Sequence, residues 1–111
     1  MAEVNFGTRL SRYGAVETLY VSGELDIATA PVLERAFDGA LDGRGGEFRL
    51  DVGGLTFMDS SGAKSLMHLH NRVESVGRHF VVQFPTPAVY RVLDLLGLDQ
   101  VLDIRSKAPR T

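Results

Sequence analysis

The residues best able to carry chemistry lie together in Leu55-Thr56-Phe57-Met58-Asp59-Ser60-Ser61-Gly62-Ala63-Lys64. An acid, two hydroxyls and a glycine in succession invite two readings. In the first, Asp and Ser satisfy the unpaired N–H groups of a helix start, and the glycine adds turn propensity. In the second, one serine hydroxyl stands exposed and is modified. A phosphate there would meet those N–H groups and the positive end of the helix, so the fold could hold it. Its charge of about −1.5 to −2 at neutral pH would still transform the local surface. Spacing alone leaves both readings open. Lys64, four residues after Ser60, is either a solvated helix lysine or near enough to attract such a phosphate. Exposed pairs of that kind are worth about 0.2–1 kcal/mol.

Other chemistries find less support. His68 and His70 are two apart on an expected helix and point to different sides, while His79 opens the next strand. With no cysteine in the chain, neither a metal site nor thiolate chemistry is expected. Gly43-Arg44-Gly45-Gly46 lacks the Lys-Ser/Thr ending of a phosphate-binding loop. No Gly-x-Ser-x-Gly elbow is present. A hydrolase built on Ser60 would need a base and an oxyanion hole that no residue pattern assigns. No cofactor is implied.

The elements that must position this run can be read from periodicity. Val4, Phe6, Thr8 and Leu10 alternate with polar residues, Ser11-Arg12-Tyr13-Gly14 supplies turn residues, and Leu19 and Val21 form a second strand closed by Gly23. These two strands are expected to pair as an antiparallel hairpin. Val32, Leu33, Ala36, Phe37, Ala40 and Leu41 recur at helical spacing behind Thr29 as N-cap and Pro31, and Asp42-Gly43-Arg44-Gly45-Gly46 ends that helix. Phe48, Leu50 and Val52 alternate with charged residues, a pattern for a strand covered on one face only.

After Asp59, the residues Leu66, Leu69, Val73 and Val76 make a helical stripe, with Gly77 as its stop. Lys64, His68 and Ser75 fall on the opposite, wet side, and His70 lies at the stripe's edge. Phe80, Val82 and Phe84 mark a fourth strand. Thr86 caps a third helix with Pro87 in its first turn and Val89, Val92, Leu93 and Leu96 on its buried face. Gly97-Leu98 terminates it, and Val101, Leu102 and Ile104 form a short last strand or an extended tail. Right-handed crossovers then give a mostly parallel sheet behind the hairpin.

The bulk numbers agree with this plan. At 111 residues and 44% hydrophobic, the chain is expected to be one domain over residues 1–111, ordered over about 3–104. A net charge of −2 from 12 basic and 14 acidic residues does not suit a general nucleic-acid or membrane binder. The basic tail Arg105-Ser106-Lys107-Ala108-Pro109-Arg110 reads as a solvated terminus. No secretory pattern and no span of about 20 apolar residues is visible, so a cytoplasmic location is the expectation.

Four segments occur together and in order. They are Gly23-Glu24-Leu25-Asp26 into Thr29-Ala30-Pro31; Leu50-Asp51-Val52 through Asp59-Ser60-Ser61-Gly62; the apolar pattern of the second helix; and Pro87 to Leu93 through Gly97-Leu98. Together they resemble the STAS domain of bacterial anti-sigma factor antagonists. The resemblance implies an α/β fold, a mixed sheet of four to five strands with three main helices predominantly on one face.

It also implies a cycle. The unmodified protein binds an anti-sigma factor with serine kinase activity and so frees a sigma factor for RNA polymerase. The kinase phosphorylates the first serine of the motif, here Ser60, and the antagonist lets go. A metal-dependent serine phosphatase reverses the mark. The protein is then a substrate and a partner, contacting neither nucleic acid nor membrane directly, rather than an enzyme. Asp26 and Asp59 fall on the contact surface, and Ser61 and Gly62 shape the junction.

One departure stands out, since the family often follows Asp-Ser-Ser-Gly with an apolar residue and then Gly. Here Ala63-Lys64 stands there, so Lys64 either obstructs a partner or tunes the pairing. The competing reading is a STAS module serving as a structural subunit of a transporter or signalling scaffold, without phosphorylation.

Overall fold

The computed structural model describes residues 5–41 and 45–106. Val4, the Asp42-Gly43-Arg44 part of the expected helix stop, and the Lys107–Arg110 part of the tail lie outside the described residues. Strands β1 (Phe6–Tyr13) and β2 (Val16–Leu25) form the expected antiparallel hairpin, in register from Phe6 opposite Gly23 to Tyr13 opposite Val16. Ser11, Arg12 and Tyr13 remain in β1 instead of turning, because each pairs with a residue of β2 and Arg12 forms an ion pair with Glu17. The turn is Gly14-Ala15, with Gly14 at φ 62°. Two-residue hairpin turns require such a positive φ.

Helix α1 (Ala30–Ala40), strand β3 (Glu47–Met58), helix α2 (Ser60–Ser75), strand β4 (His79–Gln83), helix α3 (Pro87–Leu95), a 3₁₀ turn (Leu98–Gln100) and strand β5 (Asp103–Arg105) follow. The sheet order is β1-β2-β3-β4-β5, and every pair after the hairpin is parallel. Leu19, Val21, Phe48, Leu50, Val52, Phe80 and Val82 present one sheet face to the helices. There they pack with Leu33 and Phe37 of α1, Leu66, Leu69 and Val73 of α2, and Val89 and Leu93 of α3. Val76 and Leu96, expected on buried stripes, are 45% and 49% exposed. Each is the residue after its helix ends, where the chain turns away from the core.

The strands β2 and β3 run further than alternation suggests. Val52, Leu55 and Met58 are buried in a three-residue step where a regular strand would step by two. The register shifts between Tyr20 and Ser22 and again between Gly23 and Glu24 explain this, since β3 carries an extra residue at each. A bulge of this kind swaps the face of every later side chain. Gly23 (φ 98°) thus lies inside β2, opposite the second β3 bulge, and is not the strand's end. Strand β4, in contrast, stops before Phe84, which takes φ 59° while its N–H donates to the Arg105 carbonyl at 2.7 Å.

Among the described residues, no helix covers the opposite sheet face. It is covered by charged side chains over the fully buried Val81. Glu47 accepts from Arg49 (2.7 Å) and Arg105 (3.1 Å), and Arg105 also reaches Asp103 (3.2 Å). His79 closes the row, 2.7 Å from Asp103 and 3.3 Å from Glu74 at the end of α2. The Asp103 hydrogen bond holds His79 protonated above its ordinary range, against partial desolvation and with added attraction from Glu74 and Glu47.

A folded-state pKa above the unfolded value gives stability that is complete below about pH 6.5 and is lost as pH rises through the raised value. His79→Gln is therefore expected to lower the urea midpoint more at pH 6 than at pH 9. An equal loss at both would mean that packing, not charge, holds the ring.

Candidate functional site

The site lies at the end of β3, where the chain passes directly into α2. Asp59 is the N-cap: its Oδ1 accepts from the Gly62 N–H at 3.0 Å, and its carbonyl accepts from Ala63 at 3.0 Å. The capping role that Asp59 and Ser60 could have shared therefore belongs to Asp59. Ser60 is the first helical residue and is exposed. Its hydroxyl has no hydrogen-bond partner among the described residues.

Gly62 is buried, and its lack of a side chain is what brings two segments together. A Cβ there would stand 2.6 Å from the Leu25 carbonyl oxygen and 2.7 Å from Met58 Cγ. The same Leu25 oxygen accepts from the Asp59 N–H at 3.3 Å. The end of β2 is thereby fixed against the start of α2, and Asp26 follows immediately.

Asp26 organises its own loop. Its Oδ1 accepts from the N–H groups of Ala28 (3.0 Å) and Thr29 (3.1 Å), and its carbonyl accepts from Ala30 (2.8 Å). Thr29 occupies the N-cap position of α1 but makes no side-chain cap. Its hydroxyl instead donates to the Glu24 carbonyl (2.7 Å) and accepts from the Asp26 N–H (2.9 Å). The backbone of Thr29 is already helical, at φ −99° and ψ −16°, and the hydroxyl points back into the loop. Asp26 and Thr29 thus make a rigid turn beside the Asp59–Gly62 junction.

A groove of about 240 Å³ extends from this junction between α1 and α2. Ile27, Pro31 and Glu34 line one side; Ser61, Lys64 and His68 line the other. Sequence reasoning missed Ile27, which is 77% exposed. Its signal was an isolated branched apolar residue directly after Asp26, outside any strand or helix period. Glu34 comes within 3.8 Å of His68 across the groove. Lys64, His68, Asn71 and Ser75 are all exposed, as the wet face of α2 requires. His70 is half-buried with its ring edge-on to Phe80, 6.2 Å away, and His79 sits at the opposite end of the sheet beside the start of β3.

A family model described as "Mlab, STAS domain" matches residues 8–104. The chain belongs to the STAS domain family. It is 29% identical over 102 residues to the anti-sigma F factor antagonist of Paenibacillus polymyxa, covering 91% of this chain and 87% of that one. Identity to the anti-sigma-B factor antagonist of Bacillus subtilis is 26% over 88 residues, 79% of this chain and 80% of the other. The crystal structure of an anti-sigma factor antagonist from Mycobacterium paratuberculosis superposes with a TM-score of 0.83. It is 27% identical, with 92% of this STAS chain and 86% of that one covered. The five-stranded mixed sheet with helices on one face is thus the fold of this family. Among the described residues, no helix is long and apolar enough to cross a membrane.

Proposed function

We propose that this STAS domain is an anti-sigma factor antagonist switched by phosphorylation of Ser60. The observation that carries the reading is the division of labour at the start of α2. Asp59 caps the helix, so the adjacent exposed serine has no structural task and its hydroxyl is open to a kinase. The unmodified form binds an anti-sigma factor that is itself an ATP-dependent serine kinase, through Asp26, Asp59, Ser61, Gly62 and Lys64. Phosphate on Ser60 adds a dianion to a contact surface already carrying Asp26 and Asp59. Like-charge juxtaposition in an interface costs several kcal/mol, and every 1.4 kcal/mol is tenfold in affinity. A metal-dependent serine phosphatase restores the binding form. In this reading the chain acts in the cytoplasm as substrate and partner and not as an enzyme.

A purified kinase assay with labelled ATP tests this. Wild type and Ser61→Ala are expected to be labelled, while Ser60→Ala is unlabelled yet still binds the kinase. Ser60→Glu is expected to bind at least about tenfold more weakly. Equal labelling of Ser60→Ala and wild type would remove the assignment.

A further inference from the structure

Lys64 is one helical turn beyond Ser60 on the same helix, and both side chains are exposed. Residues four apart on a helix have Cβ atoms about 5–6 Å from one another, within reach for a lysine ammonium and a phosphoserine. The remaining charges around Ser60 are mostly of the wrong sign for a phosphate. Asp59 precedes it and is held by the Gly62 N–H; Asp26 stands in the loop fixed against the junction; Glu24 lies opposite Phe57 at the end of β2. From α1, Glu34 faces His68.

Arg12, Arg49, Arg72, Arg78 and Arg105 already have carboxylate partners. Lys64 has no ion pair or hydrogen bond among the described residues. Its position is also where the family pattern usually places a small residue, so the cation is a property of this chain.

We propose that Lys64 is the built-in counter-ion of phosphorylated Ser60 and holds a larger share of that phosphate as the dianion under mildly acidic conditions. The inference rests on Ser60 being the modified residue. The second ionisation of a phosphoserine lies near pH 6. Neighbouring carboxylates push it towards neutrality, where a small acidification would protonate a large fraction of the dianion; a nearby cation pulls it back down. Lys64 thereby lowers the pH at which the released state begins to lose its second phosphate charge. The same side chain, lining the α1–α2 groove beside Ser61, is free to meet a partner when the phosphate is absent.

The test uses the full chain with phosphoserine installed at position 60 during translation, titrated by ³¹P NMR from about pH 5 to 8 at low salt. Lys64→Gln is expected to raise the phosphate midpoint by about 0.3–0.5 unit, a two- to threefold loss of dianion relative to monoanion at fixed pH. Lys64→Arg is expected to keep the wild-type midpoint, and about 1 M salt is expected to collapse the difference. Coincident midpoints for wild type and Lys64→Gln at low salt would overturn the proposal. Because the phosphate is installed directly, a normal shift combined with a failed kinase assay would remove the Ser60 reading and leave the ion pair standing.

Discussion

Arg78→Met is expected to lower the unfolding free energy by about 3–5 kcal/mol, the range found when one partner of a buried ion pair is removed. Arg78 is 2% exposed and Glu17 is 5% exposed. The guanidinium donates to Glu17 at 2.6 Å and to the Glu47 carbonyl at 3.0 Å, and stacks 5.5 Å from the centre of the Phe48 ring. It therefore ties the α2–β4 connection to β2 and β3 at once. Without it, the Glu17 carboxylate stays buried with Arg12 as its ion-pair partner among the described residues.

Urea denaturation of the variant measures the loss. The double replacement Glu17→Leu with Arg78→Met is expected to recover much of it, because both charges leave the interior together. A single variant within about 0.5 kcal/mol of wild type would show that the pair contributes packing alone.

Gly62→Ala should damage both stability and binding. Alanine normally strengthens a helix relative to glycine by about 0.5–1 kcal/mol, but here the methyl would meet the Leu25 oxygen, Met58 Cγ and Leu25 Cγ at 2.6, 2.7 and 2.9 Å. One of these contacts is with the backbone oxygen that also holds Asp59 and the other two are with core side chains, so relief requires moving the β2–α1 loop away from α2. Overpacking of this kind costs about 1–3 kcal/mol, and under the proposed function the displaced Asp26 turn is expected to weaken anti-sigma factor binding about tenfold or more.

Gly39→Ala is the internal control. That glycine is also helical, and its added Cβ meets nothing within 4 Å, so a gain of about 0.5–1 kcal/mol is expected. If both substitutions stabilise the protein, close packing at Gly62 is not what holds the junction.

The contrast between the two glycines marks how far the sequence could be read. Hydrophobic period is a local property, and it located the hairpin, the three helices and the sheet positions Phe48, Leu50, Val52, Phe80 and Val82 without help. It stopped being informative at Gly53, where β3 bulges and the alternation breaks. The continuation of β3 to Met58 depends on pairing with β2, which no window of consecutive residues contains.

The same limit applied to side chains. Asp59, Ser60 and Gly62 were legible as a junction because they are adjacent. Which of them caps the helix was decided by one hydrogen bond, and why glycine stands at 62 was decided by a carbonyl from another strand. Thr29 read as a cap and became a brace for the Asp26 loop. Ile27 and Glu34 line one groove with Lys64 and His68 only because α1 packs beside α2. Nothing in the residues around Arg78 points to its buried partner Glu17, 61 positions away. Sequence by itself determined the elements, their order and the exposed serine motif, since these follow from chemistry between near neighbours. The cap, the groove and the buried charge pair came from tertiary structure, because each is a contact between segments that the chain brings together only on folding.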